Sequence, residues 1–404
     1  MIRFMERKDV LLLAAPPFPA RNEGIGLIAK EAGWNIVPGN LLFDGMRGWR
    51  GDGALVTLRQ DPAVLSFVRR LMRRGIPVVD MTSEHPEIGI PRVCVDNRAI
   101  GRLAAEHFAE RGYRHAAWFS TNWSPLQAER YAGFAEGLAK EAAVSGLPEK
   151  WVLAEGPSAK RRNDSAAVAR WFAGLLRAAP KPLAVLCNET KDAARVLAEC
   201  RFLGIAVPDE IAILGVGDDP MLCENQAVPL SSIMQNGRRS GMEAAALLGK
   251  LMDGGTPPEG PVLVPPAGIA VRASTECVAA GDPLVARALA LVARNLSRPW
   301  GVGQLAAELG VSPAGLSRRF RADLGCAPGA EIARQRLVRA KALLRDTTLG
   351  LAEISALCGI CNAPYLSNLV RRETGLSPRR YRASQAAGAS GRNHGAETGT
   401  GGRT

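Results

Sequence analysis

The stretch Glu353-Ile354-Ser355-Ala356-Leu357-Cys358-Gly359-Ile360 runs through Tyr365-Leu366-Ser367 to Gly375-Leu376-Ser377-Pro378, and its reading decides the fold of the C-terminal quarter. An apolar helical run ends at a glycine, an aliphatic residue follows, and a second helical run starts. The pattern occurs once before, at Gly310-Val311-Ser312, then Leu316, Phe320, Gly325 and Pro328. Helix, glycine turn, helix is the helix-turn-helix arrangement. Glycine suits the turn because it takes positive φ without a Cβ clash. Val311 and Ile360 are expected to plug the space between the paired helices.

Charge follows the repeat. Residues 284–384 hold 16 Arg and Lys against 6 Asp and Glu, so this segment carries +10 of the chain's net +12. The 404-residue chain is otherwise near neutral and too long for one ordinary domain. A basic module attached to a neutral body fits phosphate binding by one part only.

Residues 284–384 resemble the DNA-binding domain of the AraC/XylS family of transcription regulators. Ile360, Leu366 and Val370 stand where that family usually has Phe, and the swaps keep the positions apolar. The resemblance implies an all-α domain with helix-turn-helix motifs at about 302–321 and 351–372. Residues 330–345 form the helix between them, with Ile332, Leu337, Ala340 and Leu344 on its apolar stripe. It also implies base-facing positions: Ala314, Ser317 and Arg318 in the first head, Ala363, Pro364, Ser367 and Asn368 in the second. Arg318 suits guanine and Asn368 suits adenine. Arg319, Arg321, Arg371 and Arg372 read as phosphate contacts or as solvated charges.

The first 277 residues alternate short apolar runs with amphipathic stretches. Val10–Leu13, Gly53–Leu58, Pro77–Met81, Arg92–Val95, His115–Phe119, Leu183–Cys187 and Ile211–Val216 read as buried strands. Pro62–Arg74, Ala99–Arg111, Ala128–Ala143 and Ala166–Ala178 read as helices. This alternation argues an α/β fold on parallel sheets.

Particular phrases then resemble the LacI/GalR effector domain: Val93-Cys94-Val95-Asp96-Asn97 with Gly101, Arg130 with Gly133-Phe134, and Gly204 through Gly215. The resemblance implies a two-lobed periplasmic-binding-protein-like sensor. The first lobe is expected over about 9–116 and 236–263, the second over about 117–235 and 266–277, with a linker at 278–283. A LacI-type sensor joined to AraC-type heads is XylR-like. The resemblance implies a cytoplasmic, sugar-sensing regulator, an activator working with RNA polymerase, paired as a homodimer on double-stranded DNA.

Sugar hydroxyls need partners that donate and accept, so Asp, Asn and Arg are the expected ligand residues. By position these are Asp96, Arg130 and Asn188, where Asp96 and Asn188 also fit helix caps. The family's next acid is missing: Gly217 stands in its place within Gly215-Val216-Gly217-Asp218-Asp219, leaving Asp218 to substitute. Replacing Gly217 by Asp would then restore an acceptor. The departure leaves a second reading open, a ligand-independent regulator with a vestigial sensor.

Other classes find no support. No phosphate-loop lysine, Gly-x-Ser-x-Gly or histidine triad marks an enzyme. No cofactor is expected. Eight scattered cysteines and four histidines lack metal spacing, and Cys358-x-x-Cys361 lies inside a helix-turn-helix turn. No run is long and apolar enough to span a membrane. Residues 1–20 only mimic a signal peptide and read as the first strand. Residues 385–404 read as a disordered tail.

Overall fold

The computed structural model describes residues 7–13, 19–39, 49–58, 62–140, 146–155, 165–276 and 279–383. The tail read at 385–404 lies outside these.

The first lobe is built on four parallel strands in the order β2-β1-β3-β4, comprising β1 (Asp9–Leu13), β2 (Asn35–Pro38), β3 (Gly53–Val56) and β4 (Val78–Asp80). A bridge from Asp80 to Arg92 carries the sheet on to β5 (Val93–Val95), which pairs with β11 (Val262–Val264). Val10, Leu55 and Val79 face α1 (Pro19–Glu31) and α8 (Gly237–Met252) on one side. Leu11, Val56 and Val78 meet Phe67 and Leu71 of α2 (Pro62–Arg73) on the other. Burial on both faces explains why these strands read as continuous apolar runs.

The second lobe holds six strands in the order β12-β10-β9-β8-β6-β7, parallel except for β12 (Gly268–Ala270) against β10 (Ser231–Met234). The others are β6 (His115–Ser120), β7 (Glu149–Val152), β8 (Leu183–Cys187) and β9 (Ile211–Val216). Helices α5 (Ser165–Ala178) and α6 (Thr190–Leu203) cover one face. Helices α3 (Asn97–Glu110) and α4 (Pro125–Ala139) cover the other.

This corrects the lobe boundary expected after residue 116. Ile100, Ala104 and Phe108 of α3 share a core with Trp118 and Phe134, so the chain crosses between lobes at Asp96. Further crossings lie between β10 and α8 and between β11 and β12, and are tied by Asp96 N–H to Val264 O (2.8 Å) and Ala267 N–H to Met234 O (2.8 Å).

The C-terminal module is all helical. α9 (Pro283–Arg294), α10 (Val302–Leu309) and α11 (Pro313–Leu324) form one core around Leu289, Leu305, Leu316 and Phe320. α13 (Leu351–Leu357) and α14 (Ala363–Thr374) form a second around Ile354, Leu366 and Val370. The connecting helix α12 (Pro328–Asp346) gives Ile332 to the first core and Ala340 and Leu344 to the second. At 19 residues it is a rod of about 28 Å. Gly359 (φ +64°) has no room for a side chain: an added Cβ would lie 2.3 Å from Leu296 O of the first head.

Candidate functional site

Both recognition helices start from the same device. Ser312 and Asn362 are N-caps whose side chains accept from the N–H three residues on, at Gly315 (3.1 Å) and Tyr365 (2.8 Å). Gly325 and Gly375 end the two helices in the left-handed conformation. On α11 the buried Leu316 and Phe320 turn Ala314, Arg318 and Arg321 outward, with Ser317 half-buried. On α14 the exposed residues are Pro364, Tyr365, Asn368, Arg371, Arg372 and Glu373, with Ala363 and Ser367 half-buried.

Arg319, read as a phosphate contact or a solvated charge, carries an ion pair in the free chain. Its guanidinium is paired with Asp282 at 2.7 Å, where the sensor joins the module. Asp323 of the same helix accepts from the Gly281 and Asp282 N–H groups at 3.0 and 3.1 Å. Tyr365, about half exposed beside Pro364, is a surface feature the sequence reasoning treated only as part of the motif.

The ligand residues that the resemblance implies come from both sides of the lobe crossing and from the sheet of the second lobe. Arg130 of α4 is 2 % exposed and acts as a clamp. Its Nη2 and Nε donate to Asn97 Oδ1 (2.8 and 3.3 Å), and its Nη1 donates to Asn188 Oδ1 (2.9 Å) and Asn188 O (2.5 Å). Burial pulls the guanidinium down to about 10, opposed by the charges of Glu189 and Asp192, so it stays charged at neutral pH. Asn97, which the sequence pattern does not single out as a ligand residue, holds the guanidinium through its amide oxygen.

Asp96 takes the capping role, accepting from Ala99 N–H at 2.8 Å. Asn188 does not cap α6: its side chain is held by Arg130, and Glu189 is the N-cap residue. Asp218 sits at φ +47° after Gly217 at φ +116°. This turn directs its carboxylate to Arg272, 2.7 Å away, and Ser232 Oγ accepts its N–H at 3.0 Å. Asp218 is paired with Arg272, and Gly217 holds a backbone conformation that an Asp there would strain. Among the described residues no cluster of His, Cys, Asp or Glu could hold a metal, and no helix is long and apolar enough to cross a membrane.

Helices α3 and α4 touch backbone to backbone. A Cβ on Gly101 would lie 2.2 Å from Arg130 O, and one on Gly133 would lie 2.2 Å from Arg98 O. The pair is therefore packed too closely for side chains to come between the backbones at these glycines. The far end of α3 meets the DNA-reading module: Glu110 O accepts from Arg334, the Glu110 carboxylate lies 3.7 Å from Lys341, and Arg111 O accepts from Ala279 N–H at 2.8 Å.

These features define a transcription regulator of two domains, a periplasmic-binding-protein-like sensor followed by an AraC-type helix-turn-helix module. Residues 105–275 match the periplasmic binding protein-like domain and residues 305–384 match a helix-turn-helix domain. The chain is similar to the xylose operon regulatory protein of Escherichia coli K12, 27 % identical over 381 residues, covering 89 % of this chain and 92 % of the relative. The Haemophilus influenzae protein of the same name is 25 % identical over 378 residues, covering 89 % and 93 %. Among solved structures, the xylose-binding transcription activator xylR matches with a TM-score of 0.58 and 25 % identity, covering 94 % of this chain and 99 % of that one.

Proposed function

We propose that the chain is a transcription activator that binds specific sites on double-stranded DNA as a cytoplasmic homodimer, under the control of a small sugar-like ligand in the sensor cleft. The observation that carries this is the course of α3. It starts at the Arg130–Asn97 clamp and ends at Glu110 against the connecting helix of the two heads. Fourteen residues make it a rod of about 21 Å, so a shift of the clamp reaches the heads without a change of fold. Ala314, Ser317, Arg318, Ala363, Pro364, Ser367 and Asn368 face bases, while Arg371 and Arg372 hold phosphates. The similarity to the xylose operon regulators supports a sugar-like ligand and an activator that works with RNA polymerase.

Operator fragments selected from random DNA test the reading, with affinity measured by fluorescence anisotropy with and without a sugar panel. Sedimentation at micromolar concentration gives the oligomeric state. Selection of a defined sequence, an affinity that changes with one ligand, and a dimer are expected. DNA binding that no small molecule alters would favour the ligand-independent regulator, which the Asp218–Arg272 pair supports.

A further inference from the structure

We propose that the sensor cleft is built for an anionic effector, a polyhydroxylated carboxylate such as an aldonic acid, whose carboxylate binds Arg130. This rests on the reading above that the cleft takes a small ligand.

The charge around Arg130 carries the inference. A guanidinium has five N–H donors. At Arg130 four are matched, all to neutral oxygens of Asn97 and Asn188, and the fifth, on Nη2, has no acceptor among the described residues. A buried cation is costly unless an anion completes it. The nearby acids Glu189 and Asp192 lend their charge from a distance, and none touches the guanidinium among the described residues. Glu189 pairs with Lys191 at 2.7 Å, and Asp192 accepts from Thr121 at 2.6 Å. Asp96 caps α3, and Asp218 pairs with Arg272.

The end of β9 removes the last candidate. Gly217 brings no side chain, and its φ of +116° starts the turn that takes Asp218 away. A neutral sugar would therefore meet a cation with no acid in hydrogen-bond contact with it to accept the hydroxyl protons. A carboxylate would bring the missing charge and a charge-assisted hydrogen bond, about twice as strong as a neutral one. Hydroxyls on the same ligand would use the Asn97 and Asn188 amides, which both donate and accept.

Matched pairs of ligands test this on the intact chain by titration calorimetry: gluconate against glucose, xylonate against xylose, galactonate against galactose. At least one carboxylate should bind about tenfold or more tighter than its neutral partner, in keeping with a charged rather than a neutral hydrogen bond. Tighter binding of the neutral sugars would overturn the anionic assignment and leave the sensor reading standing. No heat from either series would overturn both.

Discussion

Lys341 of the connecting helix stands 3.7 Å from the carboxylate of Glu110 at the end of α3, joining the sensor to the reading heads. Arg334, one and a half to two turns earlier on the same helix, donates to the backbone carbonyl of that glutamate while Glu331 holds it at 2.8 Å. Lys341→Glu sets like charges against each other here. The pair is partly exposed, so the stability cost should stay within about 1 kcal/mol. The contact should open, with a larger radius of gyration in small-angle scattering and a weaker effect of ligand on DNA affinity. Unchanged scattering with an unchanged ligand response would remove α3 as the link.

Gly133→Ala should separate α3 from α4, because the new methyl meets the backbone of Arg98 and nothing flexible can yield. A loss of about 1–3 kcal/mol in urea unfolding is expected, typical of overpacking. Gly26→Ala, where nothing lies within 4 Å, is the control and should be near neutral. Equal effects at the two sites would refute the close approach.

Gly217→Asp should fail to improve sugar binding. At φ +116° an L residue is strained by about 1–3 kcal/mol, and the variant should melt earlier by that measure. Tighter xylose binding in calorimetry, with stability unchanged, would show that the turn relaxes readily.

Asp80 is fully buried at the end of β4, and burial raises its carboxyl to about 6 against the bonds from Leu58 and Thr82 that lower it. The folded value lies above the unfolded one. Its stabilising contribution is therefore complete below about pH 4 and is lost as pH rises through about 6. The sensor should gain stability on the order of 1 kcal/mol between roughly pH 7.5 and pH 5 from this group. Asp80→Asn should flatten that part of the profile, and an unchanged profile in denaturant titrations would place the dependence elsewhere.

Arg318→Ala should cost about 1–3 kcal/mol on a selected operator and little on random DNA. Arg372→Ala should weaken both alike and reduce the salt slope by about one. Arg319→Ala should leave the slope alone, because its charge is taken by Asp282. Anisotropy over a salt series separates the three.

Both reading heads were legible because their determinants are local. Gly310 and Gly359 mark turns, and Leu316, Phe320, Leu366 and Val370 mark buried faces, all within short windows. The seven buried strands were visible for the same reason. The lobe crossing was not, because whether α3 packs on one sheet or the other depends on partners such as Trp118 and Phe134, distant in sequence. Long-range pairs hid the roles of single side chains too. Arg319 finds Asp282, Asp218 finds Arg272, and Arg130 finds Asn97. Nothing near Asp218 in the sequence shows that its charge is spent 54 residues away.

The two heads differ in one small respect that governs how they could be exchanged. Their turn glycines, Gly310 and Gly359, lie forty-nine residues apart, yet their recognition helices, starting at Pro313 and Ala363, lie fifty apart. A graft aligned on the glycines would feed the second helix into the first turn out of step by one residue. At about 100° per residue, Asn368 would then face sideways and a core leucine would point at solvent. Chimeras meant to transplant sequence preference from one head to the other must be joined at the caps, Ser312 and Asn362.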